Sequence, residues 1–330
     1  MRRSAIFQKV CLTLERALDT GTHRPNKALY EKPLCLLVFS AACAFGASHQ
    51  VAITIDDLPR GGDGPRSYTE VRALTKKLLA PIREQKIPVT AFVIGGHSDE
   101  MGEEHFREIL NLWLDAGADL GNHSASHLDL NQVPLTDYEA DILKGEPILR
   151  SVLDPRGKKL VYFRHPYLFT GPTPQIKAGL QAFLDAHNYL VAPVTFDDSD
   201  YEYALLYTHP EYRDRVNAEY IPYMESVISF FEQRGPLVVG HEFPQILLIH
   251  ANRLNADKMP ELLAMFRRRG YSFVTLERAL ADPAYQLPEE YVGRGGFSWI
   301  HRWSMTKKMK GQAEPDPPKW LEDGWKALGR

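Results

Sequence analysis

Cysteine is missing from everything beyond position 43. Cys11, Cys35 and Cys43 are the only three in 330 residues. The remainder of the chain therefore has neither disulfides nor cysteine-ligated zinc, and its folding does not depend on a redox compartment. Excess charge is missing as well. Lys and Arg number 39 against 42 Asp and Glu, which leaves a net charge of -3. Such a balance gives no electrostatic case for nucleic acid. Internal repeats and low-complexity tracts are absent. So is any apolar run long enough for a confident membrane span. The longest, residues 34–47, has about the length of a secretory h-region. Lys27 and Lys32 precede it, and it ends in small residues, with Ala42-Cys43-Ala44 or a cut after Ala47 as cleavage sites. Residues 27–47 thus read as a signal peptide, which predicts a periplasmic or secreted mature protein without a stable membrane span. Residues 1–30 read as an extended n-region or an upstream start, and an ordinary buried helix is the alternative for the apolar run.

What is present is ordinary for a folded protein: 44% hydrophobic and 25% charged residues. From Val51 the pattern alternates strand and helix. Strands are expected at 51–55, 89–94, 118–121, 159–163, 189–194, 245–250 and 271–275. Helix-rich stretches fall at 67–86, 103–116, 137–150, 175–187, 213–234 and 257–269. This alternation predicts an α/β fold with a parallel sheet and outer helices. Periodicity alone does not separate a barrel from an open sheet.

The first strand is the most informative. Ile53-Thr54-Ile55 runs into Asp56-Asp57 and then Leu58-Pro59. Adjacent carboxylates at the end of a core strand point to a site at the carboxyl edge of the sheet, where α/β enzymes place their chemistry. His123-Ser124-Ala125-Ser126-His127 follows another strand. Histidines four apart on one helical turn can reach one ion. With Asp57 they make a two-histidine, one-carboxylate set that leaves zinc an open position. Further strands run into Arg164, into Asp197-Asp198-Ser199-Asp200-Tyr201, and into His250. Five strands that deliver titratable groups at one end are hard to obtain from solvation alone.

The order of these motifs resembles the polysaccharide deacetylases with a NodB homology domain, carbohydrate esterase family 4. The carriers are Thr54-Ile55-Asp56-Asp57-Leu58, His123 to His127, Arg164-His165-Pro166, Asp197 to Tyr201, and Leu248-Ile249-His250. The resemblance spans about residues 50 to 282. It implies an irregular (β/α)7-type barrel with 48–282 as the catalytic domain; residues 1–47 then form an N-terminal segment, and the character of 283–330 reads as an extension packed on the barrel. It implies that Asp57, His123 and His127 hold a divalent metal, zinc first among candidates, and that Asp56 is the general base. Arg164 would orient Asp56, His250 would protonate the leaving amine, and Asp200 would hold His250. The aromatic Tyr167 and Tyr201 would line the substrate site.

The implied substrate is an N-acetylated or O-acetylated glycan. A metal-dependent amidase on a non-sugar amide and a catalytically silent glycan-binding relative are the alternatives. Two positions depart from the family pattern: Leu58 stands where glycine is usual, and Tyr201 where tryptophan is usual. Residues 202–244 form a region with its own helical pattern that reshapes the groove. In the tail, Trp299 and Trp303 lie one turn apart near Lys307, Lys308 and Lys310. Packing against the barrel is favoured there over membrane binding.

Overall fold

The computed structural model describes residues 49–329 apart from 63, 65 and 66. The expected signal segment at 27–47 lies outside the described residues. The strands are β1 (Gln50–Leu58), β2 (Val89–Val93), β3 (Asp119–Asn122), β4 (Tyr162–Phe163), β5 (Leu190–Val191), β6 (Gln245–His250) and β7 (Ser272–Phe273). All pair in parallel, in the order β5-β4-β3-β2-β1-β6, with β7 added beside the start of β1. The chain after β5 continues to a parallel bridge between Phe196 and Leu247 of β6. That bridge closes the sheet into an irregular barrel with helices outside, the fold the resemblance implies.

The helices are α1 (Tyr68–Glu84), α2 (Ser98–Met101), α3 (Glu103–Asp115), α4 (Leu135–Leu153), α5 (Pro174–Ala186), α6 (Asp200–Tyr207), α7 (Pro210–Val239), α8 (Arg253–Arg268), α9 (Leu276–Leu280), α10 (Trp299–Thr306) and α11 (Lys319–Ala327). Polar side chains start several of them. Ser67, Thr173 and Asn252 each accept a backbone N–H of the first turn of α1, α5 and α8, which satisfies donors that a helix start otherwise leaves open. Among the described residues no helix is long and apolar enough to cross a membrane.

Side chains alternate along a strand, so every second residue of β1 faces the barrel interior. Ala52 meets Phe92, Ala192 and Ile246 there, in a cluster separate from the main core and capped by Leu276 and Ala279 of α9. Thr54 comes next and accepts from the fully buried Arg164 at 2.7 Å. Asp56 is the third rung and opens onto the barrel mouth. The intervening Val51, Ile53 and Ile55 face the main core beneath the helices. A period of two in one strand thus sorts the apolar core from the polar mouth.

The tail beyond Pro283 packs onto the same unit. Trp303 is 1% exposed and Arg302 is fully buried. The Arg302 guanidinium donates to Thr170 Oγ1 and the Phe297 carbonyl at 2.7 and 2.8 Å, and to the Leu168 carbonyl. It also lies 4.5 Å over the Trp299 ring. The aromatic face of α10 is therefore covered by protein. From there the chain crosses to α11, where Trp320 donates to Glu219 of α7 at 2.6 Å.

Candidate active site

The carboxyl ends of β1, β3, β4 and β6 meet at one cavity of about 1050 Å³. Asp56, Asp57, His123, His127, Tyr167, Tyr201 and His250 all line it. Arg164 and Asp200 stand directly behind, both fully buried. The nine residues singled out from sequence therefore come together.

One expectation needs correction. His123 and His127 do not sit on a helical turn. The segment is an irregular loop, with Ser124 and His127 at φ of 64° and 52°. Its backbone hydrogen bonds go elsewhere: Ala125 and Ser126 N–H donate to the Asp141 carbonyl and carboxylate, and Ser124 N–H donates to Asn122 Oδ1. Those polar partners replace the helical ladder and allow left-handed residues that a helix excludes. The loop packs closely on its neighbour, since a β-carbon at Gly96 would overlap the Ala125 carbonyl. The imidazoles still converge, by loop geometry rather than by helical spacing. Leu58 also resolves. It is a fully buried core residue, and the positive φ falls on Asp57, at 65°.

Asp57 Oδ1 lies 3.4 Å from His123 Nε2 and 3.6 Å from His127 Nε2. It is buried and has no hydrogen-bond partner. Ligands about 2.0–2.2 Å from a tetrahedral ion stand roughly 3.3–3.6 Å apart, so the spacing suits a shared ion better than direct bonds. His123 Nδ1 is 2.8 Å from the Arg164 carbonyl. A carbonyl only accepts, so Nδ1 carries the proton and the Nε2 lone pair faces Asp57. Burial, then the neighbouring His123, push His127 down to about 4, which keeps it neutral near pH 7. Burial opposes the Asp57 carboxylate, but the surrounding histidines outweigh it and hold its pKa below the usual range. One imidazole nitrogen from each histidine beside the Asp57 carboxylate is a competent donor set, and the residues fit a divalent ion.

Asp56 is 2% exposed. Arg164 Nε lies 3.8 Å from its Oδ2, and its Oδ1 is buried without a partner. Across the sheet, Asp56 is the register partner of His250. His250 Nδ1 meets Asp200 Oδ1 at 2.6 Å. Burial opposes the imidazolium there, but Asp200 overrides it, joined by Asp57 and Asp56, and raises the His250 pKa well above its ordinary value.

Sequence reasoning missed what fixes Asp200. Its Oδ2 accepts from His250 N–H at 2.9 Å, Asn252 Nδ2 at 3.2 Å and Asn255 Nδ2 at 2.5 Å. Asn252 and Asn255 follow His250 closely, and an N-cap beside a motif was the available signal. Also missed was His165, which is 4% exposed, has no partner at Nδ1, and is pushed down to about 3 by burial and then by Arg302.

Comparison with known proteins agrees with this geometry. The polysaccharide deacetylase family model matches residues 46–180. A peptidoglycan-N-acetylglucosamine deacetylase of Bacillus cereus is 22% identical over 233 residues, 69% of this chain. The aligned part covers 66% of that relative, slightly less than two thirds. The crystal structure of the polysaccharide deacetylase Bc1974 from Bacillus cereus superposes with a TM-score of 0.50 at 20% identity, over 69% of this chain and 91% of that one. A CE4 family pseudoenzyme from Bacillus anthracis has a TM-score of 0.49 at 14% identity, over 71% of this chain and 66% of that one. The matched stretch holds the Asp-Asp pair, both histidines and the buried arginine, so residues 46–180 are similar to the polysaccharide deacetylase family where the site residues lie.

Proposed function

We propose that this protein is a metal-dependent hydrolase that removes acetyl groups from an acetylated glycan, with N-acetylglucosamine units as the preferred target. The observation that carries the reading is the placement of two acid–base pairs of opposite design around one candidate metal site on one cavity. Asp57, His123 and His127 would hold the ion, zinc in this reading. When bound, it supplies Lewis-acid polarisation of the acetyl carbonyl and of the attacking water.

The rest of the chemistry belongs to the chain. Asp56, beside Arg164, takes the proton from water. His250, charged through Asp200, gives a proton to the departing amine nitrogen. The Tyr167 backbone N–H serves as a donor to the developing oxyanion. Tyr167 is 52% exposed and its ring lies 4.4 Å from His127, so it also offers a face to a sugar. A signal within residues 27–47 would deliver the enzyme to the periplasm or beyond, where acetylated polymers occur.

The test is acetate release. The full chain, stripped of metal and then reloaded with zinc, is incubated with N-acetylglucosamine oligomers, O-acetylated glycans and small cyclic amides. Zinc-dependent acetate from the oligomers is expected. Opening of a cyclic amide with no acetate from any glycan would refute the proposal in favour of a non-sugar amidase.

A further inference from the structure

The barrel mouth alone does not enclose the cavity. A large part of its lining comes from the tail, including Phe297, His301, Met309, Glu314, Asp316 and Trp325. The tail is fastened close to the reacting centre. Arg302 grips the loop after Tyr167 through Leu168 and Thr170. Gly296 approaches the Tyr167 carbonyl so closely that any β-carbon would overlap it. At the other end of the tail, the Trp325 ring meets Tyr201 edge-on at 5.6 Å, and Tyr201 meets His250 edge-on at 6.1 Å. The tail thus completes the wall beside His250.

The tail brings carboxylates to that wall. His301 hydrogen-bonds Glu314 and fixes its carboxylate at the cavity. Asp316 lies beside it in the lining, and Asp197 and Asp198 face the same space from the barrel mouth. Among the described residues, no Lys or Arg lines the cavity. Burial, then Glu314, push Asp197 up to about 7, and His250, His301 and Arg164 offset this only in part. Four buried polar atoms of lining residues lack partners: Asp56 Oδ1 and Asp57 Oδ1 at the reacting centre, and Asp198 Oδ2 and His165 Nδ1 away from it. Buried polar atoms are normally satisfied, so orphans in a cavity wall point to a ligand that supplies the missing bonds. The volume is near the upper end of the ~300–1,000 Å³ common for small-ligand sites, enough for a short saccharide.

We propose that the C-terminal segment is the substrate-reading wall of this cavity, and that Glu314, held by His301, selects glycans bearing a protonated amine on a sugar next to the one being deacetylated. This rests on the deacetylase reading. Hydrolysis of an N-acetyl group leaves a free amine, which is protonated at neutral pH. The product of one turnover then carries the charge that the wall favours in the next. Glycans with carboxylates are disfavoured by the same wall, because like charges meet in a partly desolvated space.

The test separates recognition from catalysis. Binding to the metal-free full chain is measured by calorimetry with three oligosaccharides of equal length: fully N-acetylated glucosamine, the same oligomer partly deacetylated, and one alternating N-acetylglucosamine with a uronic acid. The partly deacetylated oligomer should bind best and the uronic-acid oligomer worst. Glu314→Gln should weaken the first by roughly threefold to fivefold, the range for one partly exposed charge contact, and leave the neutral oligomer unchanged. Glu314→Lys should reverse the order of the charged pair. Equal binding of all three by the wild type, or no response to either Glu314 variant, overturns the proposal. Trp325→Ala should raise KM with little change in kcat, and Trp325→Phe should restore it. A matched loss of kcat in both, with melting temperature unchanged, overturns the wall's role in recognition. If the binding order holds and no acetate is released, the deacetylase reading fails and the recognition wall stands.

Discussion

His127 and His250 face one cavity from two sides, and burial disfavours the charged form of both. Their proton states nevertheless diverge. His127 has the Asp57 carboxylate only at 3.6 Å, where burial and then His123 outweigh it, and stays neutral. His250 has a carboxylate at 2.6 Å, itself held by two asparagines and a backbone N–H, and stays charged. In the proposed reaction the same side chain would serve as a metal ligand in one place and a proton donor in the other because of its neighbours. One site therefore supplies a lone pair and a proton near pH 7. Each of the following expectations tries to collapse that difference, beginning with the largest effect.

Removal of the neutral His127 should abolish the reaction. His127→Ala, or chelation of the wild type, is expected to reduce acetate release to background, and zinc should restore only the wild type. Bound metal measured by atomic absorption should fall in step, and full occupancy in the variant would remove His127 from the ligand set. Asp56→Asn leaves those ligands in place. It should keep the metal and lose roughly two to four orders of magnitude in kcat, the usual worth of a positioned base.

Asp200→Asn should make His250 resemble His127. Without the carboxylate, burial dominates and the imidazole pKa falls. His250 must be protonated to serve the leaving amine, so the alkaline limb of the pH–rate profile should move to lower pH. Activity near neutrality should fall by about tenfold or more, with the deficit shrinking as pH is lowered. A uniform loss at every pH would mean that Asp200 only orients the ring. The ion pair bears on folding too. Because the His250 pKa is raised, its contribution is fully present below about pH 6.5 and is lost as pH rises through the folded value.

The barrel mouth was legible in sequence; the tail was expected to pack on the barrel, but its place in the cavity wall was not foreseen. Asp56, Asp57, Arg164 and His250 each end a strand whose apolar run is unmistakable, so position along the chain already gave the end of the barrel. Strands expected at 159–163 and 189–194 shrink to Tyr162–Phe163 and Leu190–Val191, since only these residues keep a regular ladder before the barrel closes through Phe196. The helix expected at 213–234 extends to Pro210–Val239, and Asp200–Tyr207 forms a helix of its own. The His123–His127 loop escaped because a spacing of four has more than one backbone solution. His301 with Glu314 and Trp325 with Tyr201 escaped for another reason. They are tertiary contacts with no period, cap or motif, and only the path of residues 307–318 between α10 and α11 brings them to the cavity.

His165 offers the smallest and cleanest test of what burial does without a compensating partner. Its ring is 4% exposed, its Nδ1 is orphaned, and Arg302 and Arg164 add repulsion to desolvation. The folded pKa of about 3 lies below that of the unfolded chain. The unfolded state therefore binds a proton that the folded state refuses, from about pH 6.5 downward. Stability should fall through that window by roughly 1 kcal/mol per pH unit for this one proton. His165→Gln keeps a polar side chain of similar reach and cannot titrate. Urea unfolding of the metal-free chain between pH 6.5 and 4.5 should show a slope in the wild type that is shallower in the variant by about that amount. His127 is present in both and adds the same acid loss to each, so the difference isolates His165. Equal slopes would mean that the buried ring accepts a proton in the folded state, and that the arginines around it do not keep it neutral.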